Sequence, residues 1–248
     1  DLYHISKDLI SIKYNKIMKL INIDQIKALE SPPKIVQIFS EGEIKMIQKL
    51  YDDLPERIFN KKQNIRKKTW IPNYNKELEK IYLDKLKVEL GNFKLDTLKS
   101  EKGEEFFGLF HESFSPLSLH VDSGFDEKNV IYKQVVTPLS SLGDTVIFKN
   151  RWYEESTSFT IDEEELKFIP KSGQNNRSDR HLGTEEFDKE IHQKYLTHID
   201  INNLKGLKVE FIYNWKLGET LIMDRTHIHS SSSRIKKKKL GLTTFTKK

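Results

Sequence analysis

In the run LSLHVDSG, His120 and Asp122 stand two residues apart. On a β-strand that spacing turns both side chains to one face, where a neutral imidazole and a carboxylate can share a divalent ion. A third ligand must come from elsewhere, and the segment GETLIMDRTHIHSSSSR offers His227 and His229, again i and i+2. Two histidines and one carboxylate occupy one face of an octahedral ion and leave three positions open, which suits non-haem Fe(II) oxygen chemistry. A bidentate 2-oxo acid can take two of those positions and O2 the third, so that decarboxylation of the oxo acid generates an oxidant for a C–H bond. Such a co-substrate needs a fixed cation for its distal carboxylate. Arg234 and the lysines 236–239, just after His229, are the obvious suppliers.

The tripeptide H-x-D carries little information alone, because with eight histidines and an ordinary Asp frequency about half an occurrence arises by chance, and His198-Ile199-Asp200 supplies a second one. Context separates the two. His120 sits in an apolar, alternating run after a β-rich stretch, whereas His198 ends a polar segment behind an expected helix. Zero cysteines remove thiol nucleophiles, disulfides, zinc fingers and iron–sulfur clusters, so any metal must sit on His, Asp or Glu. There is no phosphate-binding glycine loop, no G-x-S-x-G elbow and no HExxH.

The elements that must position these residues fall into two parts. Residues 1–103 lean helical. Ser40 and Glu43 form a capping box ahead of Ile44, Ile47, Leu50, Tyr51 and Leu54, and Pro55 closes that helix. Asn75 caps a second helix carrying Leu78, Ile81, Tyr82, Leu86 and Leu90, with Gly91 as its stop. Neither can bury its apolar stripe alone, so the segment is expected to brace something else. From residue 104 to 248 the chain turns to β-rich runs, EEFFGLF, LSLHVD, NVIYKQVVT, DTVIF, LKVEFIYNW, ETLIMD and LGLTTFT. At least seven strands without intervening helices predict an antiparallel sandwich or barrel, mainly β with N-terminal helices, in one structural domain overall. The stretch 150–206 reads as an insertion too polar for core strands, partly loop, with a short helix near 184–196.

A hydrophobic share of 36% supports a sizeable core, and a net charge of only +5 argues against nucleic acid as a partner. No apolar run approaches the roughly 20 residues of a membrane span. Charges stand where a signal peptide would need its apolar stretch, so a cytoplasmic location is expected.

SLHVDSG, YKQVVTPLSSLGDTVIF, NWKLGETLIMDRTHIHSSSSR and KKLGLTTFT together resemble the Fe(II)/2-oxoglutarate-dependent dioxygenases, of the phytanoyl-CoA and prolyl hydroxylase type, over roughly residues 104–248. The resemblance implies a double-stranded β-helix, the jelly roll also found in cupins, and PPKIVQIFSEGEIKMIQKLYDDLP is similar to the strand and helix that brace it. It implies Fe(II) on His120, Asp122 and His229, with His229 at the family's interval from Gly218 and His227 as its fallback. It implies 2-oxoglutarate and O2 as co-substrates, the former anchored by Lys239, where the family more often has Arg, with Arg234 as competitor. Tyr132 and Gln134, on one face of the next strand, stand where the family hydrogen-bonds its co-substrate. Lys236 and Lys237 read as a solvated basic turn. Trp152 and Trp215 are candidates to shape a pocket, and His111 and Glu112 to stand at its entry. The implied activity is hydroxylation of a small-molecule or macromolecular substrate, contacted by the insertion and the N-terminal helices. The alternative on the same barrel is a cupin-like metal-binding protein or a metal enzyme without oxygenase chemistry.

Overall fold

The computed structural model describes residues 22–56, 58–60, 64–100, 103–125, 128–160, 174–176, 183–235 and 237–248. Sixteen strands are present among them: β1 (Lys34–Val36), β2 (Ile58–Asn60), β3 (Ile65–Trp70), β4 (Lys94–Leu95), β5 (Leu98–Lys99), β6 (Glu105–Phe106), β7 (Gly108–Ser113), β8 (His120–Val121), β9 (Ile131–Pro138), β10 (Asp144–Arg151), β11 (Thr157–Thr160), β12 (Gln174–Asn176), β13 (Val209–Asn214), β14 (Thr220–Asp224), β15 (His227–Ser231) and β16 (Lys239–Lys247).

Two sheets face each other. The larger runs β1-β14-β9-β16-β7-β3-β2 with β4 added against β16, and the smaller runs β12-β11-β8-β15-β10-β13. Pairing is antiparallel except between β11 and β12. Strand alternation divides the side chains between the layers. Val136, Ile147, Leu221 and Met223 meet Tyr213 and Trp215 between the sheets. Their neighbours Val135 and Ile222 turn outward into a cluster with the helices, and Val146 and Phe148 turn outward on the smaller sheet. Because both sheet faces are covered, runs such as QVVT and TLIM read as continuous apolar stretches.

The N-terminal helices form as their stripes predict. Glu41–Asp53 is capped by Ser40, which accepts from the Glu43 backbone N–H while Glu43 reaches back, and it buries Ile44, Ile47, Leu50 and Tyr51. Lys76–Leu90 starts at the Asn75 cap, buries Leu78, Tyr82, Leu86 and Leu90, and stops at Gly91 with φ +64°. The caps contribute about 1 kcal/mol each, and each buried side chain roughly 1.5–3 kcal/mol. Both helices pack on the outer face of the larger sheet against Phe110, Val135, Ile222 and Leu240.

Two parts of the chain differ from the sequence reading. The first 103 residues are not only a helical brace: β3 pairs with β7 along its whole length and widens the larger sheet. Its IRKKTW sequence hides the strand because the cations find partners, Arg66 on Glu112 and Glu56, and Lys68 on the Tyr51 and Asp52 carbonyls. The polar stretch 150–206 contributes β11, which pairs with β8. TSFT gives little apolar signal, yet Phe159 is buried on Leu119, Trp152 and Leu196. The helix there is Lys189–Tyr195, and Phe187, Ile199 and Leu204 cover the outer face of the smaller sheet. Residues 161–173 and 177–182 of that stretch lie outside the described residues. No helix among the described residues is long and apolar enough to cross a membrane.

Candidate metal centre

His229 sits directly opposite His120 across the β15–β8 pair. Facing positions of an antiparallel pair hold their Cβ atoms about 4.5–5.5 Å apart, so the ladder itself brings the imidazoles together. Their ring centroids lie 4.2 Å apart. Asp122, one residue past the end of β8, places Oδ2 3.8 Å from His120 Nε2 and 3.6 Å from His229 Nε2. The three ligand atoms all lie within 4.8 Å of one another.

The other nitrogen of each ring fixes its tautomer. His120 Nδ1 lies 2.7 Å from the Ser118 carbonyl and His229 Nδ1 3.0 Å from the His227 carbonyl. A carbonyl only accepts, so Nδ1 carries the proton and donates, leaving the Nε2 lone pairs turned toward Asp122. Burial, reinforced by His229, lowers the His120 pKa to about 4 and keeps that ring neutral. Burial alone would raise Asp122, but His120, His229 and the Gln134 side chain hold its carboxyl below the usual carboxylate range. Gln134 Nε2 donates to Asp122 Oδ2 at 3.0 Å. Two imidazoles with their Nε2 atoms turned to one ionised carboxylate form a donor set that fits a divalent ion.

The turn after Asp122 is clamped by a residue the sequence reading missed. Arg225, fully buried, donates from Nε to the Asp122 carbonyl at 3.3 Å and from Nη1 to the Thr246 carbonyl at 3.3 Å, and pairs with Asp96. Gly124, at φ +57°, is required there, since a Cβ would lie 2.1 Å from Arg225 Nη2. The only signal in the sequence was an Arg directly after the acidic end of the LIMD strand.

The triad opens into a cavity of about 290 Å³ between the sheets. Gln134, Trp215 and Lys239 line it; Arg234 and Tyr132 do not. Lys239 is buried beneath the Trp215 ring, its ammonium 4.0 Å from the ring centroid, and donates to the Asp144 carbonyl at 3.1 Å. Two glycines make this slot: a Cβ on Gly143 would lie 2.9 Å from the Lys239 stem, and one on Gly241 2.6 Å from Trp215. Burial lowers the Lys239 pKa to about 7. Arg234 instead leaves the barrel with the loop after β15, 48% exposed, 3.8 Å from Asp144 and stacked over Tyr195. Tyr132 is turned away from Gln134 by a bulge: Phe245 pairs with Gln134 but Lys247 with Ile131, so β9 carries one extra residue and its alternation flips. Tyr132 packs against the helix-side core under Lys248.

The remaining candidates separate as cleanly. His227 hydrogen-bonds the Asp224 carbonyl and Glu210, 3.1 Å each, outside the cavity lining. His198 binds the Leu117 carbonyl, and Asp200 caps the short helix Ile201–Leu204. His111 lines the cavity, while Glu112 faces the other side with Arg66 and Lys238. Trp152 is core and donates to the Glu155 carbonyl. No residue of the helices Glu41–Asp53 and Lys76–Leu90 lines the cavity, which β3 reaches through Ile65 and Lys67 and the 150–206 stretch through Ser158.

No protein family and no curated protein matches the sequence. Solved structures do match in shape. The non-heme alpha-ketoglutarate-dependent carbocyclase SnoK from nogalamycin biosynthesis aligns over 88% of this chain and 80% of its own, with a TM-score of 0.52 and 8% identity. HygX from Streptomyces hygroscopicus aligns over 88% and 83% (TM-score 0.49, 11% identity), and an oxidoreductase of the 2OG-Fe(II) oxygenase family from Burkholderia pseudomallei over 91% and 89% (TM-score 0.47, 12% identity).

Proposed function

We propose that this chain, which has the double-stranded β-helix fold seen in 2-oxoglutarate-dependent non-haem oxygenases, is an Fe(II)- and 2-oxoglutarate-dependent dioxygenase acting as a hydroxylase. The observation that carries the reading is the triad, in which two imidazoles with their Nδ1 protons committed to carbonyls turn free Nε2 lone pairs toward one carboxylate. His120, Asp122 and His229 would hold Fe(II) on one face. When bound, the ion and co-substrate supply oxidative decarboxylation of 2-oxoglutarate to succinate and CO2, coupled through O2 to oxidation of a C–H bond.

The protein's own part is positioning. Lys239, in its glycine slot, would take the distal carboxylate of 2-oxoglutarate; burial lowers its pKa to about 7, and an anion beside the ammonium would favour the charged form again. Trp215 shields that ammonium, and its indole N–H is committed to Thr145 Oγ1 at 2.9 Å, which fixes the ring. Gln134 orients Asp122 by donating to Oδ2, while its own Oε1 is buried without a partner among the described residues and can accept from a ligand N–H or O–H. Arg225 prevents the Asp122 turn from relaxing away from the histidines.

The test is an anaerobic titration of metal-free protein with Fe(II) and then 2-oxoglutarate, following the visible charge-transfer band of a chelated oxo acid. A saturable band that disappears in His120→Ala supports the reading. Metal binding without a band would overturn it in favour of the cupin-like alternative.

A further inference from the structure

With 2-oxoglutarate on Lys239, the proposed reaction still lacks a contact for its primary substrate. The cavity contains a second cation, Lys67, half-buried on β3. Its neighbours on the strand turn outward and are paired, Arg66 with Glu56 and Glu112 and Lys68 with two carbonyls. Among the described residues Lys67 has no hydrogen-bond or ion-pair partner of its own. Asp122 is the only acidic side chain lining the cavity among them. Lys67 lies directly across the ladder from His111, which in turn faces Gly241 two residues after Lys239. His111 also lines the cavity, and burial together with Lys67 and Lys239 lowers its pKa to about 3, so its ring is neutral and keeps one N–H to donate.

The charges in the cavity do not balance. A dication, Asp122, the co-substrate dianion and protonated Lys239 sum to zero and leave Lys67 as one positive charge without a counter-charge in the cavity, where an anionic group can pair with it. Resting on the oxygenase reading, we propose that the primary substrate bears an anionic group, a carboxylate or a phosphate, which Lys67 binds with His111 donating beside it.

The test uses protein loaded with Zn(II) and saturating 2-oxoglutarate, with the His111 ring nitrogens followed by NMR during titration with propionate, methyl phosphate and propionamide. The expected result is a saturable shift with one or both anions and none with propionamide. Lys67→Met should weaken anion binding tenfold or more while leaving 2-oxoglutarate affinity unchanged, and Lys67→Arg should restore it. The tighter of the two anions identifies the group. Equal binding of propionamide, no anion effect, or an equal loss of 2-oxoglutarate affinity in Lys67→Met would overturn the proposal, the last by assigning Lys67 to the co-substrate. Repeating the titration without Zn(II) and 2-oxoglutarate separates the two readings: Lys67-dependent anion binding in a protein that takes up neither would sink the oxygenase and keep the anion site.

Discussion

Strand β15 supplies one histidine to each of two buried polar groups, and the two differ in how fully their members are satisfied. Around His227, the Asp224 carboxylate accepts from Lys133, Arg151 and the Ser31 backbone N–H, Glu210 accepts from Arg151 and lies against His227, and Lys133 also donates to Ser31 and the Leu29 carbonyl. Charges there are paired within the protein. Around His229, two imidazoles keep a free nitrogen each, Lys239 has one neutral carbonyl and a ring face for company, and Lys67 has no partner among the described residues. A closed network of this kind ties elements together, here the N-terminal segment to the barrel, whereas an open one is complete only with a ligand.

Mutations should break the two groups in opposite ways. Asp224→Ala leaves Lys133 buried without its carboxylate, while Arg151 keeps Glu210 and Glu30, and should cost about 3–5 kcal/mol. Urea unfolding would show it, with Fe(II) stoichiometry per folded molecule unchanged. Lys239→Met should do the reverse, losing roughly 10- to 100-fold in 2-oxoglutarate affinity, as expected for a charge-assisted hydrogen bond, with iron still bound. Calorimetric titration of the iron-loaded protein would measure it.

The same lysine carries a pH dependence whose sign is fixed. Its folded pKa of about 7 lies below the ordinary 10.5, so the folded protein binds fewer protons than the unfolded chain between those values and gains stability as pH rises through that window. An anion on Lys239 raises its pKa again, so binding above pH 7 takes up a proton. The 2-oxoglutarate dissociation constant should therefore weaken by up to about tenfold per pH unit above 7, a slope absent in Lys239→Met. The smallest effect is expected for Gln134→Leu, which removes the hydrogen bond orienting Asp122 and should cost about tenfold in Fe(II) affinity without affecting stability. A competition titration with a metal chelator would resolve it.

The sequence reveals elements through their apolar stripes and caps, and those stripes describe the helices Glu41–Asp53 and Lys76–Leu90 and the central strands well. It conceals β3 and β11, whose polar side chains and backbone are satisfied by partners outside the strand itself. His120 and Asp122 could be singled out from spacing and strand context. Choosing between His227 and His229 needed the family interval or the ladder register, because i and i+2 look alike until each ring's partners are known. Tyr132 could not be separated from Gln134 by spacing, since a bulge leaves no mark in composition. Arg234 is the better carboxylate binder by type, but Gly143 and Gly241 build their slot around Lys239.

The direct opposition of His120 and His229 makes the centre mechanically uneven. The spacing of the two imidazoles is set by a hydrogen-bonded ladder anchored on one side by β11 and on the other by β10, and a ladder resists stretching. Asp122 projects from a turn held by Arg225, by Ser123, whose buried hydroxyl donates to the Glu154 carbonyl, and by Ser156, whose hydroxyl accepts from the Gly124 N–H at 2.7 Å. Ions of different radius would thus be accommodated by rotation of the Asp122 side chain while the two rings and the clamped turn stay in place, so the carboxylate arm is the compliant part of the centre.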